Sequence, residues 1–370
     1  MTEVHSSSHK ISKDGHNFVH KSVLLSEAVD RLVLDSFVPL QKNTRKAKGI
    51  KDYLHRSRKC LSNGHFLDAT FGRGGYTREL LRRGVQKITA LDRDKDAISF
   101  GNHAFEKEIG EGRLTLYHAK FSDLDTFVEP DSLAGAVFDI GVSSPQLEDA
   151  ERGFSFLKEG PLDMRMGLSK QTAADFLNAA REEEIAHVLW TFGGERKSRS
   201  IAKRIVAFRK KNPFKTTQDL VRLFGKAVQG RAARGGAIHP ATRTFQALRI
   251  LVNDELLELE VALKKVSKAL STCGRLVCVS FHSEEDRRIK HFFKPKKPEA
   301  LSRHGPLAYK NAPTGDTSSG EDERKAEPTL VFETLEKQPL VPSREEVAAN
   351  PRARSARLRW GVKWEGECDA

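Results

Sequence analysis

Two hydrophobic periods alternate along the chain. Short apolar runs, several closing on an acid, give way to stretches where apolar residues return every three or four positions. The first pattern suits a buried strand and the second a helix packed by one face. Strands are therefore predicted for the run closing on Asp68, for Lys87 to Leu91, Arg113 to His118, Ala134 to Ile140 and Leu276 to Phe281, and at Leu330 to Leu335. Helices are predicted over His20 to Leu32 with Ser22 as cap, from Tyr76 onward and over Ala97 to Glu108. Two more follow, Thr244 to Leu270 stopped by Gly274, and Glu284 to Phe293 capped by Ser283. Strands that alternate with helices argue for a parallel sheet covered on both faces.

From Thr172 to about Ala233 the strand period disappears. TAADFLNAA opens with a capping threonine and an acid three residues on, and helical patterns follow over Glu182 to Phe192, Ser198 to Lys211 and Thr217 to Val228. The expected organisation is a disordered tail at 1–17, an α/β domain in two pieces, 18–147 and 244–370, and an all-helical insertion at 148–243. The basic stretch Val38 to Asn63 reads as a solvated insertion. Lys294 to Pro328, rich in Pro, Lys, Glu, Ser and Gly, reads as a mobile loop.

The stretch FLDATFGRGG, Phe66 to Gly75, joins a strand to a helix start through glycines. Gly72, Gly74 and Gly75 can take positive φ and admit a ligand to the backbone. Such a junction suits a nucleotide-like ligand at the carboxyl end of the sheet. Asp92 lies 20 residues after Gly72, at the end of the next strand, where an acid can hold ribose hydroxyls. The spacing departs from G-x-G-x-x-G, and Asp68 stands just upstream. A carboxylate there disfavours a pyrophosphate and favours a cation. S-adenosylmethionine carries ribose, an ammonium and a sulfonium, so a methyl-donor site is favoured over an NAD site. Phe121 and Asp139 fall at further strand ends, so that Asp68, Asp92, Phe121 and Asp139 converge on one rim. Phe121 there can cover an adenine face or fill the core.

The chain has 370 residues, 38% hydrophobic and 31% charged, with a net charge of +13. A core is feasible, and the charge points to a polyanion partner such as RNA. Much of it falls in the helical stretch, at Arg196, Lys197, Arg199, Lys203, Arg204, Arg209, Lys210 and Lys211, and at Arg231 and Arg234. The four cysteines, Cys60, Cys273, Cys278 and Cys368, lack zinc-ligand spacing and suit a reducing compartment. Asp, His and Cys do not cluster at ligand spacing, so no metal is expected. No run approaches the ~18 apolar residues of a membrane span, and the first thirty residues fit neither a secretory signal nor a transit peptide.

Seven segments make a resemblance specific. They are HKSVLLSEAVDRL (His20 to Leu32), FLDATFGRGGYTRELL (Phe66 to Leu81), ALDRDKDAI (Ala90 to Ile98), FDIGVSSPQLEDAERGFSFLKEGPLDMRM (Phe138 to Met166), TFQALRILVNDEL (Thr244 to Leu256), GRLVCVSFHSEEDRRIKHFF (Gly274 to Phe293) and NPRARSARLR (Asn350 to Arg359). On these the chain resembles the bacterial methyltransferases that modify N4 of a cytidine in small-subunit (16S-type) ribosomal RNA at the decoding centre, with their mitochondrial relatives. The resemblance implies a Rossmann-like class I methyltransferase sheet with the helical substrate domain inserted after the fourth strand. It implies donor contacts at Gly74, Gly75, Tyr76, Asp92, Phe121, Asp139 and Gln146. Of these, Tyr76 and Gln146 come from the resemblance alone, and Tyr76 stands where the family usually has histidine. It further implies a cytoplasmic setting, or an organelle matrix, and small-subunit RNA as partner. A homodimer is compatible with it.

Cytosine N4 is a poor nucleophile, because its lone pair is delocalised into the ring. Asp139, with Ser143 or Ser144, is expected to orient it; the alternative is that Asp139 only binds the donor. Asp163 and Arg165 are expected to grip a flipped cytidine, or else to pair with each other and hold their loop. Arg352 and Arg354 would share one strand face and join the RNA surface. His282, after a strand end, is a candidate for the pocket wall. Three other readings stay open: an NAD-dependent oxidoreductase, a non-catalytic RNA-binding assembly factor, and a methyltransferase with another acceptor.

Overall fold

A computed structural model describes residues 22–33, 64–225, 239–294, 331–334, 336 and 338–364. The tail, the Val38 to Asn63 stretch, Arg231, Arg234, Cys60, Cys368 and nearly all of the 294–328 loop lie outside the described residues.

Seven strands form one sheet: β1 (His65–Asp68), β2 (Lys87–Asp92), β3 (Leu114–His118), β4 (Leu133–Asp139), β5 (Leu270–Ser280), β6 (Val331–Glu333) and β7 (Arg357–Trp364). Their order is β3-β2-β1-β4-β5-β7-β6. Strands β1 to β5 run parallel, and β7 is antiparallel to both of its neighbours. This is the Rossmann-like sheet that the resemblance implies. The strand order reverses between β1 and β4, and that switch point opens a crevice at their carboxyl ends.

The period of two decides which face each strand residue covers. Phe66 and Val137 pack with the helices Leu25–Val33 and Gly75–Arg82, on one face. Leu67 and Phe138 pack on the other, with Leu259, Leu263 and Val266 of the helix Glu255–Ala269. A third apolar cluster gathers the helical stretch, from Phe154 through Leu189 and Ile205 to Leu248 and Val252. The helix Ala241–Val252 contributes to it, although most of that helix lies beyond residue 243.

Several sequence expectations need correction. The helix foreseen from Thr244 to Leu270 is two helices, Ala241–Val252 and Glu255–Ala269, broken where Asp254 takes φ 50°. Gly274 does not stop a helix. It lies within β5, in the irregularity between the Leu133–Leu270 and Gly135–Arg275 pairs. The helix Ser283–Phe293 has His282 as its N-cap, not Ser283. Ser22 caps nothing, because the first helix starts at Leu25 and the Leu24 N–H donates to Glu346. Arg352 and Arg354 do not share a strand: they sit in a 3-10 turn, Pro351–Ser355, before β7 begins.

Candidate active site

The crevice over the switch point is a cavity of about 350 Å³. Its floor is the carboxyl ends of β1, β2 and β4 and the turns that follow them. At β1 the chain turns through Thr70, Phe71 and Gly72. The Gly72 N–H donates to Oδ2 of Asp92 at 2.7 Å, and the Asp94 N–H donates to Oδ1 at 2.8 Å. The ends of β1 and β2 are thus tied through one carboxylate. Burial pushes Asp92 up to about 6, against those two peptide donors.

Asp139 closes β4. Its N–H donates to Thr70 Oγ1, and its side chain reaches the cavity, where Oδ1 is buried without a hydrogen-bond partner among the described residues. Burial, then the charges of Asp68 and Glu285, hold its carboxyl well above the usual range. The next-but-one residue, Gly141, has φ 123°, a conformation open to glycine, and also lines the cavity.

Not every expected residue reaches the cavity. Asp92, Phe121, Asp139, Ser143, Ser144 and Gln146 do, with Tyr76 and Arg352. Gly74 and Gly75 do not line it. A Cβ on Gly74 would meet the rings of Phe105 and Phe71, and one on Gly75 would overlap Ser22. Packing explains Gly75; Gly74 is needed both for packing and for its φ of 68°. Asp68 is also no part of the rim: it is fully buried and accepts from Thr77 Oγ1 at 2.7 Å. Burial raises it to about 6, with Thr77 and Thr70 opposing.

Side chains carried over from the resemblance are already engaged. The Tyr76 hydroxyl donates to the Val23 carbonyl at 2.5 Å. The Gln146 amide accepts from the Ser143 N–H and donates to Asp94 Oδ2 at 2.7 Å, an oxygen that Arg152 also reaches at 2.8 Å. Phe121 stands edge-on to Phe138, with centroids 5.8 Å apart. Asp163 and Arg165 pair with each other through two side-chain hydrogen bonds, 2.8 and 2.7 Å, and neither lines the cavity. That is the loop-holding alternative. Arg352 lies 3.3 Å from Glu148, and Arg354 is exposed and off the cavity.

The 163–169 segment reaches the site through Asn253, at the helix break. Asn253 is fully buried. Its Oδ1 accepts from the Met166 N–H and Ser169 Oγ, and its Nδ2 donates to the Met164 carbonyl at 2.7 Å. Met166 lines the cavity. Sequence reasoning missed this hub, because unbroken apolar spacing runs straight across it.

Sequence reasoning named His282, which does not line the cavity, but missed the charged cluster it belongs to beside Asp139. Arg249 donates from Nε and Nη2 to Glu255 at 2.8 and 2.7 Å, and Nη2 lies 3.8 Å from Glu285 Oε1. Glu285 takes the N–H groups of Phe281 and His282 on Oε2. His282 Nε2 approaches Glu285 Oε1 at 2.9 Å, an ion-pair distance, but without hydrogen-bond geometry. Burial opposes ionisation of Glu285, yet His282, Arg249 and the Phe281 N–H outweigh it and hold it below the usual range. Glu255, His282 and Glu285 bring ligand-type atoms within 4.8 Å of one another. The Arg249 guanidinium already supplies positive charge there. Only the His282–Glu285 capping box is local; Arg249 and Glu255 lie far from it in sequence, so no single motif shows the cluster.

Arg196, Lys197, Arg199, Lys203 and Arg204 are exposed on and just before the helix Ser198–Arg209, whereas Arg209 donates to the Leu177 carbonyl at 2.7 Å. No helix among the described residues is long and apolar enough to cross a membrane.

Curated relatives are similar to this chain along most of its length. A protein of Beijerinckia indica named ribosomal RNA small subunit methyltransferase H is 47% identical over 307 residues, covering 82% of this chain and 81% of its own. One of the same name from Rhodopseudomonas palustris is 45% identical over 313 residues, covering 84% and 88%. Likeness to the solved structure of a rRNA methylase from Streptococcus thermophilus is low, at TM-score 0.34 and 12% identity over 82% of this chain and 89% of that one. The MraW methylase family pattern matches residues 17–364, and the chain belongs to that family.

Proposed function

We propose that the chain methylates N4 of a cytidine in small-subunit (16S-type) ribosomal RNA, near the decoding centre, with S-adenosylmethionine as donor. The observation that carries this reading is the buried Asp139 carboxylate at the end of β4, with Oδ1 lacking a partner on the cavity wall. A buried acid in that state is costly, and a cation or an N–H donor in the cavity relieves it. The residues fit the donor: Asp92 at the end of β2 for ribose hydroxyls, Phe121 for an apolar ring, and acids for positive charge. When bound, the donor supplies an activated methyl on a sulfonium.

The chain's own task is alignment. An attacking atom held at ~3 to 3.5 Å from the methyl gains most of the attainable advantage. Burial holds Asp139 towards its neutral form; the donor's positive charge beside it favours the ionised one, which accepts an N4–H of the base and draws the amine out of conjugation towards a tetrahedral geometry. Gly141 keeps that approach open. Ser143 and Ser144, at the start of the helix Ser144–Glu148, offer hydroxyls and peptide groups on the same wall. The base must leave its stack to reach this depth. We assign residues 148–243, with their exposed arginines and lysines, to holding the RNA backbone, for which such charge is suited. Arg352 lies at the cavity mouth, and Arg354, Asp163 and Arg165 fall outside it.

The test is nucleoside mass mapping of small-subunit RNA from a host lacking the gene, complemented with wild type or with Asp139→Asn. Wild type restores one N4-methylated cytidine and the variant does not, while calorimetry shows that the variant still binds the donor. Full modification by Asp139→Asn defeats the assigned role, and an unchanged nucleoside map in the deletion strain defeats the acceptor.

A further inference from the structure

We propose that Arg249 reads the acceptor base, donating from Nη1 to the unprotonated ring nitrogen beside the amine while Asp139 accepts from the amine itself. This rests on the cytidine reading and assigns its discrimination against uracil and guanine.

Arg249 projects from the last turn of the helix Ala241–Val252. Its side chain is only 15% exposed, and it lines the same cavity as Asp139. Two of its three nitrogens are committed to Glu255, and Nη2 is the one nearest Glu285. Nη1 has no protein acceptor among the described residues. Guanidinium groups are planar and keep their charge, so a fork fixed on Glu255 also fixes the direction of the remaining N–H bonds. An arginine whose work was structural would use its donors on protein. This one is clamped on one side by Glu255, lines the cavity, and keeps one nitrogen unused among the described residues.

The carboxylate cluster around it fits that use. Glu255, His282 and Glu285 are close enough to suggest a cation site, but the guanidinium lies against both glutamates and takes that place. Glu285 is in turn anchored by the peptides of Phe281 and His282 at the end of β5. Its charge is felt by both Arg249 and Asp139. The cavity wall thus offers a buried acceptor and a buried donor in one electrostatic unit.

Base edges differ in how they meet such a pair. Cytosine offers the N4–H donor and then the N3 acceptor. Uracil and guanine place a carbonyl and then a ring N–H in those positions, so both contacts turn repulsive; adenine shares cytosine's order and is separated from it by ring size, not by this pair. A site built from one buried acceptor and one buried donor rejects the reversed edge strongly, because both protein groups are left unpaired.

The test uses reconstituted small subunits carrying cytidine or 3-deazacytidine at the modified position, with wild type and Arg249→Lys. A charged hydrogen bond is worth about 1.5–3 kcal/mol, roughly 10- to 150-fold in kcat/KM. Wild type should lose at least ~10-fold on 3-deazacytidine. Arg249→Lys should lose a similar factor on cytidine, yet only about 2-fold more when the ring nitrogen is also removed, with donor affinity by calorimetry unchanged. Wild type that methylates both bases equally well overturns the inference without any variant, as do two losses that simply multiply. Wild type that leaves ordinary cytidine untouched overturns the cytidine reading, and this inference with it, and that control is read separately.

Discussion

The peptide N–H of Asp139 donates to the hydroxyl of Thr70 at 2.7 Å. A side chain from the turn after β1 therefore sets the backbone at the end of β4, the same residue whose carboxylate faces the cavity. Thr70→Val keeps the shape and removes the acceptor. A partly buried N–H left unpaired costs about 1–3 kcal/mol, and Asp139 becomes free to shift. Urea unfolding should show that loss. Methyl transfer should fall by a larger factor than donor affinity, since alignment matters more to the reaction than to ground-state binding. Equal losses in both would show that Thr70 serves the donor site alone.

Asp92, held up at about 6 by burial, gives a pH signature. Its folded value lies above the unfolded 3.8, so between these two pH values the folded chain binds the extra proton. Stability from this group is therefore fully present below about pH 4 and lost as pH rises through about 6. Other acids act oppositely: Glu79, pulled down to about 2 by its hydrogen bond from Arg82, stabilises at neutral pH and not in acid. The raw stability curve mixes these effects, but a difference isolates one of them. The stability of Asp92→Asn relative to wild type should rise between about pH 4 and 6 and stay flat above. Donor affinity of wild type should weaken below about pH 6, as protons compete for the carboxylate. Thermal melts and calorimetry across pH 4.5 to 8 test both, and a pH-independent difference would rule out the assignment.

How much of this was legible in the sequence follows from where each signal resides. Asp92 and Asp139 were readable because an acid that ends an apolar run has few places to go in a parallel sheet. The glycine loop was readable as a turn, and Gly72 and Gly74 do take positive φ, but the packing of Gly74 on Phe71 and Phe105 and of Gly75 on Ser22 is revealed by no local pattern. Asn253 was hidden by the three-and-four spacing on either side of it. Helical periodicity records which face is buried, and the two helices bury compatible faces. His282 and Glu285 share one capping box, but Arg249 and Glu255 meet them only through tertiary packing, so charge content alone could not single out the cluster.

Asn253 itself should be among the least replaceable polar residues. Asn253→Leu removes an acceptor used by the Met166 N–H and Ser169 Oγ and a donor used by the Met164 carbonyl. Each buried group left unpaired costs about 1–3 kcal/mol, so a loss of about 3 kcal/mol or more is expected. Asn253→Asp retains the accepting oxygen but sets a second oxygen against the Met164 carbonyl, and should be destabilised as well. A milder variant, Ser169→Ala, releases the hydroxyl's contacts with Asn253 and Arg93 at the edge of the 163–169 segment and should raise KM for RNA while leaving the donor Kd alone. Steady-state kinetics on isolated subunits, paired with donor titration, separate the two. A change confined to donor affinity would place that segment on the wrong side of the cavity.

Gly75 distinguishes packing from ligand contact. The resemblance implies that it touches the donor, whereas a Cβ there would overlap the Ser22 side chain, just ahead of the first helix. Gly75→Ala should then lose about 1–3 kcal/mol of stability, as overpacking does, and Ser22→Gly in the same chain should recover most of it. Donor affinity, measured where the variant is still folded, should be nearly unaffected. If Gly75→Ala is instead as stable as wild type and loses donor affinity, with no rescue from Ser22→Gly, the backbone at this position serves the donor, and the first turn of the helix Gly75–Arg82 belongs to the binding site.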